Sequence, residues 1–193
     1  MAKNSSEKTK KFMVYFMAII MVSSVFGVVF FGFSGAGSQT SKYKGYKFIF
    51  RGDAWSTKAF SQTALFSYLP QDVENVNVSP DSIGLLKQKL QIDTTADSNG
   101  TFIQEISLAQ FQMGASMQPY NVYIRNGFTS KNDFNAPVIN CSIATPFVPV
   151  IYFKEGKDTR AYTEGSCIIA ESGNAVDFIR LKDRLLYGMF DII

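Results

Sequence analysis

The sequence of 193 residues contains no histidine, and only two cysteines and one tryptophan. Without histidine the chain lacks the commonest metal ligand and the only side chain that titrates near neutrality without perturbation. Zinc sites with histidine ligands, Ser-His-Asp triads and Cys-His dyads are therefore excluded. A Walker loop and the G-x-G-x-x-G pattern are also missing, so nucleotide binding has no support and we predict no cofactor.

Charge is absent from residues 12–33, a run of 22 residues that reads FMVYFMAIIMVSSVFGVVFFGF. At ~1.5 Å per residue, a helix of this length spans the ~30 Å hydrocarbon layer of a bilayer. We therefore predict a transmembrane helix over residues 12–33 that contacts membrane lipid. The alternative is a cleaved signal peptide, because residues 34–37 (SGAG) are small enough for a signal peptidase. The apolar part of such peptides usually has only ~7–15 residues, which favours a retained signal-anchor.

Lysines predict the orientation of this single-pass helix. Four of them precede the apolar run: Lys3, Lys8, Lys10 and Lys11. The first cation after the run is Lys42. The positive-inside rule therefore predicts a protein of the cell membrane in which residues 1–11 form a cytoplasmic basic tail. Residues 34–45 are rich in Gly, Ser and Thr and are predicted to be a flexible linker. Residues 46–193 then form one extracytoplasmic domain.

The two cysteines agree with a location outside the cytoplasm. Cys141 and Cys167 form no C-x-x-C pair, which excludes a thioredoxin-like motif and a zinc ribbon. They lie 26 positions apart, each near a predicted strand, and one structural disulfide would suit an oxidising compartment. The alternative is two buried free thiols that pack as small apolar side chains.

Charge is balanced in the part of the chain beyond the apolar run. Residues 34–193 carry 15 Lys and Arg against 15 Asp and Glu. A nucleic-acid-binding protein needs a basic patch for phosphate contacts, and no cluster of that kind is visible in the sequence. The closest run, residues 180–184, is interrupted by Asp183, so we predict no nucleic-acid partner. Arg180, Asp183 and Arg184 are interpreted as an exposed pairing on a helix.

Apolar periodicity and turn residues predict an α/β or α+β domain with a mixed sheet. The expected order is three strands, helix, strand, helix, strand, a cluster of four strands and a final helix. Three helices are predicted. The first covers residues 80–90 after the cap Ser79, with Leu90 inward, and the last covers residues 175–187 after the cap Asn174. The middle helix follows a capping box at Thr101 and Gln104, and its apolar stripe includes Ile106, Ala109, Met113 and Met117. The strand cluster comprises residues 138–142, 148–153, 159–162 and 167–170; Pro149 favours an edge position for the second of these strands.

The first part of this order resembles the ribonuclease-H-like order of elements, in which three meandering strands precede alternating helices and strands. That family cuts nucleic acid with carboxylates that hold metal ions, one of them on the first strand. In this chain Asp93 and Glu105 can be matched to such carboxylates. The first strand has no acid before Asp53, so the set is incomplete.

A second resemblance covers most of the domain. It is carried by FSYLPQDVE (66–74), CSIATPFVPV (141–150), CII (167–169) and DRLLY (183–187). In these segments the chain resembles small single-pass archaeal membrane proteins that have no assigned function. The resemblance implies an anchored domain and transfers no chemistry.

Two sets of residues are candidates for chemistry. Asp53, Asp93, Asp97 and Glu105 would converge on a divalent cation if the fold brought them together; the alternative is that they are caps, turn residues and a solvated helix face. A Ser-Lys hydrolase needs no histidine, yet no motif pairs a serine with a lysine, and G-x-S-x-G is absent.

The best candidate for a contact surface is the polar loop of residues 126–137, which holds Phe128 and Phe134. The alternative is that both rings pack back over the core. We therefore expect a membrane-anchored protein whose extracytoplasmic domain is a protein-interaction or assembly module, binding another envelope protein or a second copy of itself. A membrane-anchored hydrolase of the metal-carboxylate or Ser-Lys type is the alternative.

Overall fold

The first four strands form a sheet of their own, which we call the meander sheet. The computed structural model describes residues 39–193. The chain runs up and down through β1 (Thr40–Tyr43), β2 (Tyr46–Arg51), β3 (Ala54–Ala59) and β4 (Gln62–Phe66). Neighbouring strands pair antiparallel in that order. Gly45 and Gly52 allow tight turns because they adopt positive φ angles of 88° and 74°.

The other six strands form a second sheet, which we call the mixed sheet. They are β5 (Asn77–Val78), β6 (Gln91–Ala96), β7 (Tyr123–Phe128), β8 (Val150–Glu155), β9 (Arg160–Glu164) and β10 (Cys167–Ser172). Their spatial order is β5-β9-β10-β8-β6-β7. Strands β10, β8, β6 and β7 run parallel, whereas β9 is antiparallel to β10. Every residue of β10 is buried, as expected of a strand covered on both faces.

Four helices connect or flank the strands. They are α1 (Pro70–Val73), α2 (Pro80–Leu86), α3 (Ile103–Met117) and α4 (Ala175–Met189). Two of them begin at predicted caps, because the Ser79 hydroxyl and the Asn174 side chain each accept a hydrogen bond from a first-turn N–H group. Short 3-10 helices cover Gln118–Tyr120 and Cys141–Ile143.

Helices α3 and α4 lie between the two sheets. Tyr187 of α4 stacks on Phe66 of β4, with ring centroids 3.9 Å apart and planes 13° from parallel. On their other side, α4 contacts β10 while α3 contacts β6 and β7. Phe153 of β8 and Phe178 of α4 are wholly buried in the same core. The domain therefore has three layers, with the helices in the middle.

A disulfide joins Cys141 to Cys167, as the sequence predicted. It attaches the segment before β8 to β10. Ile139, Val150, Cys167 and Ile169 form a small separate apolar cluster there. The bond thus closes a 26-residue separation across part of the mixed sheet.

The α+β class and the mixed sheet are confirmed. The ribonuclease-H-like order does not describe the arrangement, because four strands precede the first helix and form a sheet of their own. The strand that was not predicted is β1, which begins at Thr40 inside the predicted linker 34–45. The domain therefore starts earlier than residue 46.

Four local predictions are wrong. Strand β8 is central, between β10 and β6; Pro149 does not prevent this because it precedes the strand and removes none of its hydrogen bonds. Residues 138–142 contribute only one bridge and a 3-10 turn. Leu90 is 81% exposed because α2 ends at Leu86. Helix α3 starts after Phe102 without a side-chain cap, so Thr101 and Gln104 form no capping box.

The predicted transmembrane helix and basic tail, residues 12–33 and 1–11, lie outside the described residues. Within residues 39–193, no helix combines the length and the apolar character that a membrane span requires.

Candidate interaction site at the ends of the parallel strands

The four parallel strands end at one edge of the mixed sheet. Because β6, β7, β8 and β10 run in the same direction, the loops that follow them meet there. Ala96, the last residue of β6, is paired with Phe128 on one side and Phe153 on the other. In open sheets of parallel strands, ligands bind outside the carboxyl ends of the strands.

One of these loops comprises residues 129–137 and is held by hydrogen bonds; we call it the β7 loop. The Asn132 carboxamide makes four hydrogen bonds within it. Its oxygen accepts from the N–H groups of Phe134 and Ala136, both at 3.1 Å. Its nitrogen donates to the carbonyls of Ser130 at 3.3 Å and Ala136 at 3.1 Å. One side chain thus fixes the shape of the loop.

The base of the β7 loop returns tightly against β7. The Phe128 N–H donates to the Pro137 carbonyl, and the Ile139 N–H donates to the Phe128 carbonyl. A Cβ on Gly127 would lie 2.4 Å from the Pro137 oxygen, which explains the glycine at this position. The loop therefore has a fixed base as well as a fixed tip.

Phe134 projects from this loop with 73% of its surface exposed. Its ring centroid lies 5.8 Å from that of Phe128, which is half-buried at the end of β7. The two rings and Ile103 of α3 line a cavity of about 570 Å³, whose other lining residues are Ser98, Gln104 and Ser107. The sequence analysis placed Phe128 and Phe134 in one loop. In the structure Phe128 is the last residue of β7, whereas Phe134 lies in the loop and faces solvent.

A neighbouring cavity of about 430 Å³ lies between the loop after β6 and the end of β8. Asp97, Asn99 and Glu155 contribute polar groups to its wall. The Asp97 carboxylate accepts from the Asn99 N–H at 3.0 Å, and Glu155 Oε1 accepts from the Thr101 N–H at 2.5 Å. These carboxylates are thus engaged by the backbone at the start of α3.

The four acidic candidates for a metal site are spread over the domain. Asp53 lies in the turn between β2 and β3, Asp93 within β6, Asp97 just after β6, and Glu105 in the first turn of α3. In the part of the chain that the structure describes, no three His, Cys, Asp or Glu side chains form a group able to hold a metal ion.

Asp93 is 1% exposed and is fully engaged in polar contacts. Arg125, which is paired with Asp93 on the neighbouring strand β7, donates Nε–H to Oδ1 at 3.0 Å and forms an ion pair with Oδ2. Gln91 donates to Oδ1 at 2.8 Å. The hydrogen bond with Asp93 raises the pKa of Arg125. This geometry suits a structural ion pair, since its acceptor oxygens already have donors.

Comparison of the chain with protein-family models, with curated proteins and with solved structures finds no match.

A second cluster of polar residues lies where α4 meets the end of β4. Lys182 and Asp183 are 1% and 0% exposed, and Lys182 Nζ lies 2.5 Å from Asp183 Oδ1. Asp183 Oδ2 accepts from the N–H groups of Ser67 and Tyr68, both at 2.8 Å. Burial raises the pKa of Asp183, whereas Lys182 and the two N–H groups act in the opposite direction. The carboxylate ties α4 to the end of the meander sheet.

This cluster corrects the predicted exposed pairing of Arg180, Asp183 and Arg184. Arg180 pairs with Asp177 at 2.8 Å, and Asp183 is buried because α4 is covered by a sheet on both sides. Arg184 is half-buried, and burial lowers the pKa of its guanidinium. The missed signal is the width of the apolar face: Leu181, Leu185, Leu186 and Tyr187 leave little of the helix for solvent.

The structure also pairs a serine with a lysine, which no sequence motif indicated. Ser67 Oγ lies 3.5 Å from Lys182 Nζ and donates to Gln112 Oε1 at 3.0 Å. The three side chains line a cavity of about 310 Å³ whose mouth carries Leu108 and Phe111 of α3. The residues are 115 positions apart, so only the packing of α4 against β4 brings them together.

Proposed function

We propose that the protein is a single-pass membrane protein whose extracytoplasmic domain binds another envelope protein through the β7 loop. The observation that carries this proposal is Phe134, an exposed aromatic ring on a loop whose shape Asn132 fixes. A large apolar side chain facing solvent on an ordered loop is typical of a contact surface. Because the loop is already ordered, binding costs less conformational entropy than ordering a mobile segment would.

The cavity beside Phe134 indicates the chemistry of the partner. Phe128, Phe134 and Ile103 give it apolar walls, while Gln104 and Ser107 offer hydrogen bonds at α3. A protruding apolar side chain of the partner would fill it, with the partner backbone bonded to the polar groups. The β7 loop lies at the carboxyl ends of the parallel strands, where ligands bind in open sheets of this kind, and this position also supports binding at that edge.

The location is supported by the anchor and by the disulfide. Residues 12–33 have the length and composition of a membrane span, and the lysines before them favour a cytoplasmic N-terminus. The Cys141–Cys167 bond suits an oxidising compartment.

A photo-crosslinking amino acid in place of Phe134 tests the proposal in the cells that make the protein. We expect a crosslink from position 134 to one other membrane or envelope protein. The matched control is the same substitution at Phe147, an 83% exposed phenylalanine outside the loop, which should give none. Asn132→Ala should weaken the crosslink although the aromatic group remains. A crosslink to a second copy would assign the loop to self-assembly, and no crosslink from position 134 would contradict the proposal.

A second candidate function is a membrane-anchored Ser-Lys hydrolase, which the Ser67–Lys182 distance of 3.5 Å favours. It ranks second for two reasons. Asp183 Oδ1 lies against Lys182 Nζ, so the amine is already engaged by a carboxylate, and Asp183 Oδ2 accepts from the Ser67 and Tyr68 N–H groups. An oxyanion would need donors of that kind. Labelling of the full chain by a fluorophosphonate probe, lost in Ser67→Ala, would establish this candidate; an unlabelled chain would exclude it.

The metal-carboxylate form of the hydrolase has its own test. If Asp93 and Glu105 serve catalysis, the double variant Asp93→Asn, Glu105→Gln loses activity but keeps its partners. If the domain is an interaction module, Glu105→Gln alone keeps the crosslink from position 134, because it leaves the structural Asp93–Arg125 pair intact. Phe128→Ala and Phe134→Ala should weaken partner binding.

A further inference from the structure

The cations of the domain are concentrated in the meander sheet. Residues 39–69 carry five cations and one acid, a net charge of +4. Residues 70–193 carry ten cations and fourteen acids, a net charge of −4. The cations of the first segment are Lys42, Lys44, Lys47, Arg51 and Lys58. The neutral total of the domain therefore conceals a separation of charge between its two sheets.

Three of these cations line one cavity on the meander sheet. The cavity has a volume of about 530 Å³, and Lys47, Arg51 and Lys58 are exposed in its wall. Phe48, which follows Lys47 in β2, is wholly buried in the core. Because successive side chains of a strand alternate between its faces, Lys47 and Arg51 lie on the face turned away from the core. We call this feature the basic cavity.

No acid within residues 39–193 compensates the basic cavity. The ion pairs of this part of the chain involve other cations: Lys87, Arg125, Lys154, Arg160, Arg180 and Lys182. The hydroxyls of Ser56 and Thr57 donate to the carbonyls of Ile49 and Lys47, so they are engaged by β2 itself. The cavity is left with ammonium and guanidinium donors, which match the oxygens of a phosphate group.

We infer that the basic cavity binds the anionic phosphate headgroups of the membrane in which the chain is anchored. Only six residues, 34–39, separate the predicted end of the span from β1, so the meander sheet is the part of the domain that follows the proposed anchor most closely along the chain. The inference rests on the anchor proposed above. It assigns the two sheets different contacts: lipid for the meander sheet and a protein partner for the β7 loop.

The single tryptophan provides the test, because Trp55 lies in β3 of the meander sheet. The full chain is reconstituted into phosphatidylcholine vesicles, with or without phosphatidylglycerol, that carry a nitroxide on some headgroups. We expect stronger quenching of Trp55 in the anionic vesicles. The variant Lys47→Gln, Arg51→Gln, Lys58→Gln should reduce the equilibrium constant for headgroup contact about 100-fold, because each cation contributes about fivefold. Salt at ~1 M should reduce quenching in the parent chain.

A charge-matched variant separates the basic cavity from general electrostatics. Lys89→Gln, Lys131→Gln, Lys157→Gln removes the same charge from three lysines outside the meander sheet, and quenching should stay as in the parent. Equal quenching in the parent and the cavity variant would overturn the inference, as would an equal loss in both triple variants. Displacement by millimolar glycerol phosphate regardless of lipid composition would overturn it too, by assigning the cavity to a free phosphate.

An alkaline carbonate wash keeps the two proposals distinguishable. A chain that leaves the vesicles overturns the anchor and, with it, this inference. A chain that stays in the vesicles without the expected quenching overturns this inference alone.

Discussion

The two sheets of the domain differ in how much of their surface the protein covers. The central strands of the mixed sheet are buried, with helices on one face and the disulfide-bonded segment on part of the other. The meander sheet packs Phe48 and Phe66 onto the helices and turns its cations outward. Both sheets therefore contribute to the core, but the mixed sheet also positions the β7 loop, whereas the meander sheet has a charged outer face.

Asp183, buried beside Lys182, is a polar connection between α4 and the end of the meander sheet, and breaking it should have the largest effect. Asp183→Ala leaves Lys182 buried without its partner and frees the N–H groups of Ser67 and Tyr68. We expect a loss of about 3–5 kcal/mol in the free energy of unfolding, measured by chemical denaturation. The control is Lys87→Met, which breaks an exposed pair with Asp191 and should cost at most ~1 kcal/mol. Equal losses would show that the buried pair is not a connection.

Removal of the disulfide should weaken the mixed sheet selectively. The double variant Cys141→Ser, Cys167→Ser releases a loop closed over 26 positions, worth ~3.5 kcal/mol on the chain-entropy model. Hydrogen exchange should accelerate in β8 and β10 before it does so in β2 and β3. Uniform acceleration in both sheets would contradict the separate roles assigned to them.

Stability at alkaline pH should depend on two tyrosines that hydrogen-bond to backbone carbonyls in or next to the meander sheet. Tyr187 donates to the Tyr68 carbonyl and Tyr120 to the Ala59 carbonyl. Burial raises the pKa of Tyr120 to about 12 and raises the pKa of Tyr187 as well. Because the unfolded tyrosines ionise first, near their ordinary pKa of ~10, stability should fall as the pH rises above that value.

Tyr187→Phe should remove the Tyr187 share of this alkaline loss and cost about 1 kcal/mol at neutral pH, where the lost hydrogen bond dominates. Denaturation curves at neutral and alkaline pH measure both effects. An unchanged pH dependence in Tyr187→Phe would show that this tyrosine ionises as easily in the folded chain.

The smallest effect on stability is expected at the site proposed for partner binding. Phe134 is mostly exposed, so Phe134→Ala should change the free energy of unfolding by less than ~0.5 kcal/mol. The same substitution at Phe153, wholly buried in β8, should cost ~3–5 kcal/mol. A large loss from Phe134→Ala in thermal unfolding would place this ring in the core instead.

Local sequence signals predicted most of the elements. Asn174 and Ser79 mark helix starts because their side chains cap the first turn, and the stripe Ile106, Ala109, Met113 and Met117 marks the buried face of α3. These features depend on neighbours within a turn or two of helix, which a single sequence displays.

The features that sequence did not predict depend on distant contacts. Strand β1 reads as part of a linker, and only pairing with β2 makes it a strand. The sequence predicted Asp183 to be exposed because the residues that donate hydrogen bonds to it, Ser67 and Tyr68, lie 116 and 115 positions earlier in the chain. The cations of the basic cavity are separated along the chain, with Lys47 and Arg51 in β2 and Lys58 in β3, so they form no run of basic residues in the sequence.

We proposed above that the disulfide-bonded domain lies outside the cytoplasm on a membrane anchor. The most direct measurement is mass spectrometry of the carbonate-washed membrane fraction after alkylation, with and without prior reduction. We expect the chain to stay in that fraction and Cys141 and Cys167 to be alkylated only after reduction. Alkylation of both cysteines without reduction, or loss of the chain in the wash, would contradict it.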